Sequence, residues 1–177
     1  MRKQICAVLL TLLVAALAFA ADKLPSVTLN ADQIGPRAPI EELTGRNIAR
    51  DYAHAWQGLA QALDENRPQL LEGYIVGFAK DNLARRIAEQ KKTGLHVVTI
   101  DHGHKLVAGF YAPNGDAMQL HDTAQLEIQV FDGNKMVQQE TVSAHYLVLM
   151  TPAADRWVVR LLEEVPSATG EARPEGQ

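Results

Sequence analysis

Residues 118–130 read MQLHDTAQLEIQV, and they decide the fold. Met118, Leu120, Ala124, Leu126, Ile128 and Val130 alternate with Gln119, His121, Thr123, Gln125, Glu127 and Gln129. A period of two with one apolar and one polar side is the signature of a strand buried on one face. One residue breaks the rule. Parity puts Asp122 on the apolar face, between Leu120 and Ala124.

Working outward, each end of this strand meets a turn. Pro113-Asn114-Gly115-Asp116 is a strong hairpin signal upstream, and Asp132-Gly133-Asn134 turns the chain downstream. A strand before the first turn would place His96, Val98, Ile100, His102, His104, Leu106, Ala108 and Phe110 on one face if it is continuous. A bulge at Gly103 would break that parity. A third strand over about Lys135 to Met150 groups Val142, Ala144, Tyr146, Val148 and Met150. A last one, Arg156 to Glu164, groups Trp157, Val159 and Leu161.

Before Gly94 the period is that of a helix. Thr44 is a plausible N-cap, and Ile48, Tyr52, Trp56, Leu59 and Leu63 form one stripe, with Arg46, Arg50, Asp51, Gln57 and Gln61 on other faces. Pro68 suits the first turn of a short helix carrying Leu70 and Leu71. A further helix runs from Gly77 to Gly94, with Phe78, Ala79, Leu83, Ile87 and Ala88 expected inward. Lys91, Lys92 and Gly94 mark its end. Helices first and long antiparallel strands after predict an α+β domain: N-terminal helices packed on a strongly curved, antiparallel, four-stranded sheet.

The flanks carry an address. Arg2 and Lys3 precede an apolar run from Ile5 to Ala18, and Ala18-Phe19-Ala20 offers a signal-peptidase site. The expected organisation is a signal peptide at 1–20 cleaved after Ala20, an extended Pro-containing leader at 21–43, the domain at 44–165, and a disordered tail at 166–177. The destination would be the periplasm or the outside; a retained signal would instead be a membrane anchor. The only cysteine, Cys6, lies inside the signal, so the exported domain has no disulfide. It lies at the start of the apolar run, whereas a lipidated cysteine follows one. The net charge of −4 becomes more negative once the two basic residues of the signal are removed, which argues against a nucleic-acid partner.

The pattern resembles the nuclear transport factor 2-like (cystatin-like) superfamily. The carriers are the Tyr52/Trp56 helix, the Pro68-Leu70-Leu71 segment, the Gly77-to-Gly94 helix and the long hairpins that close on Asp155-Arg156-Trp157-Val158-Val159. The resemblance is one of element order over about residues 44–165. It implies a cone with a pocket between sheet and helices, in a superfamily of isomerases, dehydratases and hydrolases as well as non-catalytic binding and dimerisation domains. Fold therefore does not decide function.

Asp122 is the sharpest candidate, because a buried carboxylate has a raised pKa unless it is paired, which would suit an acid or base. The plain reading is a structural carboxylate that caps a helix or pairs with Arg85 or Arg86. His102 and His104 could partner Asp122 or share a metal, but HxH without a third ligand is a weak metal signal. Tyr52, Trp56, Tyr74, Phe78, Phe110, Tyr146 and Trp157 either line an apolar ligand cavity or simply fill the core. No GxGxxG, P-loop or HExxH is present, so no cofactor or metal site is expected.

No complete catalytic constellation assembles from these residues. The leading expectation is an exported, non-catalytic domain that binds a small apolar ligand or an envelope protein, with a homodimer through the sheet as one option and the leader docked on a neighbour as another. The alternative is a small-molecule enzyme of isomerase, dehydratase or hydrolase type using Asp122 with His102 or His104.

Overall fold

A computed structural model describes residues 23–32, 34 and 40–166. The expected signal at 1–20, most of the 33–39 stretch of the leader, and the tail beyond Pro166 lie outside the described residues. The elements run β1 (Val27–Asn30), α1 (Glu42–Asp64), a 3-10 turn at Pro68–Leu71, α2 (Gly77–Lys92), β2 (Leu95–Tyr111), β3 (Met118–Asp132), β4 (Lys135–Pro152) and β5 (Trp157–Glu164). One curved sheet has the order β1-β2-β3-β4-β5, antiparallel except that β1 runs parallel to β2. The helices pack on one side of it, the α+β arrangement the sequence predicts.

The strand count is five and not four. Val27 and Leu29 alternate with Thr28 and Asn30, a run too short to stand out from the Pro-punctuated leader around it. This strand seats on the chain's own β2, so that part of the leader is not an arm free to dock on a neighbour. Helix α1 also starts earlier than a Thr44 cap allows. The Glu41 carbonyl already accepts the Gly45 N–H at 3.0 Å, and Glu42 places a negative charge at the positive end of the helix dipole.

The α1 stripe is as expected, with Ile48, Tyr52, Trp56 and Leu59 buried. Facing them are Leu106, Ala108, Met118, Leu120, Ala124, Leu126, Val148, Met150 and Val159. Burial of each large side chain among them is worth about 1.5–3 kcal/mol, without help from a disulfide. Asp51, expected on a polar face, is buried and belongs to the framework. Its Oδ2 accepts the Trp157 N–H at 2.7 Å, tying the start of β5 to the middle of α1, and its other oxygen pairs with Arg50.

Helix α2 corrects another expectation. Ala79 and Ile87 are buried and Leu83 packs beside them, but Phe78 is 56% exposed and Ala88 faces solvent. Residues 79, 83 and 87 define the inward line at a spacing of four, and each neighbour is rotated about 100° away from it.

Strand β2 is not one continuous face. Asp101 stands opposite Leu126 and Gly103 opposite Gln125, so His102 is an extra residue in a bulge. A second bulge leaves out Gly109. Each bulge inverts the parity. Asp101, His104, Leu106, Ala108 and Tyr111 point inward, opposite inward residues of β3, while Phe110 is turned out and is 47% exposed. Gly103 has φ +124°, a backbone state in which a side chain is strained, and an added Cβ would lie 3.1 Å from the Ser26 carbonyl oxygen.

Candidate functional site

The β2 bulge builds a buried polar chain. By placing residues 101 and 104 on the same face, it brings two carboxylates to one imidazole. His104 Nδ1 lies 2.7 Å from Asp122 Oδ2, and Nε2 lies 2.8 Å from Asp101 Oδ2. Tyr52 Oη donates to the same Asp122 oxygen at 2.8 Å. Asp101 Oδ1 accepts the Gly103 N–H at 2.8 Å, so the bulge fixes its own carboxylate. The rings of Trp56 and Tyr52 flank the imidazole at 4.5 and 5.5 Å between centroids. Asp122 Oδ1 and Trp56 Nε1 are buried with no hydrogen-bond partner.

The electrostatics follow from this packing. Burial of His104 favours its neutral form, but the hydrogen bonds to Asp101 and Asp122 outweigh it and push the imidazole up to about 9. At neutral pH the ring is an imidazolium that donates from both nitrogens. Burial, with the Asp122 charge added, holds the Tyr52 phenol well above its ordinary value. Burial and then Glu164, its register partner on β5, push Tyr146 up to about 12.

Next to this chain lies a cavity of about 730 Å3. Its walls are Lys23 to Ser26, the Trp56-to-Asp64 part of α1, and Val98 to His102 of β2. Apolar side chains supply much of the lining, among them Leu24, Pro25, Leu59, Ala60, Leu63, Val98 and Ile100. Asp101 joins the two features. It lines the cavity and ends the chain Asp101–His104–Asp122–Tyr52. Asp122 and His104 lie behind it, with side chains at 0% exposure.

The sequence candidates separate cleanly on this geometry. Asp122 and His104 meet, and the Asp122 partners are His104 and Tyr52 in place of Arg85 or Arg86. His102 leaves the group. It projects on the other side of the sheet, half-exposed, with Glu127 at 3.9 Å. The two histidines cannot share a metal across the bulge, and among the described residues no group of three His, Cys, Asp or Glu is placed to hold one.

Of the aromatic set, Trp56 reaches the cavity. Tyr52 borders a second, tight gap with Trp56, Ile75 and Val159 that has no room for a water molecule. Tyr146 packs edge-on against Trp56, and Trp157 is buried near Tyr111. Tyr74 stacks on His54 with the Arg156 guanidinium on its ring. Phe78 and Phe110 are exposed and lie outside the cavity. Sequence reasoning assigned Asp101 no role. The signal that points to it is Asp-x-Gly-His in an alternating strand, where a glycine bulge turns a spacing of three into one face.

Comparison with known proteins bears on the fold. The intermembrane-space region of the chloroplast protein ARC6 superposes with a TM-score of 0.59 at 12% identity, covering 75% of this chain and all of that one. A putative scytalone dehydratase from Novosphingobium aromaticivorans superposes with a TM-score of 0.45 at 11% identity, covering 66% of this chain and 83% of its own. No protein-family model matches the chain, and no curated protein matches it in sequence. At these identities the likeness is one of fold. That fold is a pair of helices packed on a curved, mostly antiparallel open sheet.

Proposed function

We propose that the protein is an exported, non-catalytic binding domain whose site is the cavity between α1, the β2 edge and residues 23–26. One observation carries this reading: both nitrogens of His104 are committed to carboxylates of the protein itself. An acid–base histidine needs a nitrogen that faces its substrate. His104 instead clamps the bulge that forms one wall of an apolar cavity. The volume of about 730 Å3 is in the usual range for ligand pockets.

Export rests on the charged, apolar and small-residue pattern of residues 1–20. Among the described residues no helix is long and apolar enough to cross a membrane. A homodimer through the outer face of the sheet is compatible with a site that lies at the β2 edge.

The test is a thermal-shift screen of small apolar molecules on the exported form, with Ala60→Trp as the control that fills the cavity from α1. Hits should stabilise the wild type and lose their effect in the variant. Equal stabilisation of both would place binding elsewhere.

The enzyme reading keeps one supporting observation, that Asp101 connects the cavity to Asp122 through His104. In that case Asp101 would meet the substrate, with His104 and Asp122 behind it. Turnover in a screen of carbonyl and ester substrates, abolished in Asp101→Asn with Tm retained, would favour it.

A further inference from the structure

The cavity is lined by five consecutive residues of one strand, Val98 to His102. Side chains alternate between the two faces of a strand, so a cavity on a face meets every second residue. A run of five means that the cavity lies along the strand's edge.

That edge already accepts a strand higher up. Strand β1 pairs parallel with β2 from Val27↔His104 to Asn30↔Val107, and the Ser26 carbonyl accepts the His104 N–H at 2.8 Å. Below His104 the pairing stops. The bulge at His102 and Gly103 displaces the edge, and residues 23–26 leave it to form the opposite wall. Pro25 in that wall has no N–H to donate, which disfavours closure of the wall onto β2. Among the described residues no strand pairs with Leu95–Asp101 on this side, although β3 pairs with all of it on the other.

From these observations, and resting on the binding reading above, we infer that the groove takes an extended, largely apolar peptide segment of a partner protein, which adds to β2 as a strand where β1 leaves off. The N–H and C=O groups of residues 96–101 that face away from β3 supply the ladder. Leu24, Pro25, Ala60 and Leu63 supply the apolar walls for side chains that do not face solvent. The occupant extends a pairing that the chain itself makes on the same edge from His104 onward.

The experiment pans a displayed random heptapeptide library on the exported protein, with Ala60→Trp (folding checked by circular dichroism) as counter-selection. An enriched peptide is then synthesised in two N-methylated forms, each blocking every second backbone amide. An added strand points alternate amides at β2, so one form should bind at least tenfold more weakly and the other almost unchanged. Hydrogen exchange should slow in residues 95–101. Equal binding by both methylated forms, or protection elsewhere, overturns strand addition. Failure to enrich any peptide, while small apolar molecules still stabilise the wild type and not Ala60→Trp, overturns it too and leaves the binding reading standing. If neither peptides nor apolar molecules bind, both fall.

Discussion

His104 is held as a cation between two carboxylates, and its titration is the most accessible consequence. The folded value of about 9 lies above the ordinary 6.5, so the protonated ring stabilises the native state. That contribution is full below about pH 6.5 and is lost as pH rises through about 9. A shift of this size corresponds to stability on the order of 3 kcal/mol. Urea unfolding across pH 6 to 10 should show this fall in the wild type, and His104→Gln should be less stable and lack the slope. An NMR titration that finds His104 near 6.5 would remove the basis for it. Asp122→Asn breaks the buried pair and should cost about 3–5 kcal/mol. Tyr52→Phe removes one hydrogen bond to a charged group and should cost about 1.5–3 kcal/mol. At this scale Asp122 was legible, since strand parity alone marks a carboxylate on an apolar face. Its partner was not, because His102 and His104 carry equal claims until the bulge assigns them opposite sides of the sheet.

At the scale of elements, the β2 bulge and the Asp51 contact organise the molecule. Gly103 combines a positive φ with a close approach to the Ser26 carbonyl. Gly103→Ala should therefore destabilise by about 1–3 kcal/mol and loosen β1, read as faster amide exchange at His104. Retained exchange protection there would separate the bulge from the seating of β1. Asp51→Ala strands the buried Trp157 N–H and should cost about 1–3 kcal/mol; an unchanged Tm would show that β5 does not depend on α1 for its start. The helix stripe from Ile48 to Leu59 and the β3 alternation were readable because each follows a single period over several turns or residues. Strand β1 was not, because four residues carry too little pattern. Phe78 and Phe110 were misplaced for different reasons, one by a rotation of about 100° on α2 and the other by a bulge that periodicity does not register.

At the scale of the whole molecule, the order of elements gave the α+β fold, while the position of the cavity came from three segments far apart in sequence. Residues 23–26, α1 and the β2 edge meet because β1 seats on β2 and the bulge then parts them. The open space lies between α1 and the β2 edge, beside the buried core. No local pattern encodes that placement. The central claim is that this cavity is the binding site and that the Asp101–His104–Asp122–Tyr52 chain holds its wall without reacting. The most direct measurement is a backbone NMR titration of residues 21–177 with a ligand from the thermal-shift screen. The account predicts shifts concentrated at residues 98–102 and at Ala60, absent in Ala60→Trp. Shifts confined to the outer face of the sheet, or persisting in Ala60→Trp, would contradict it.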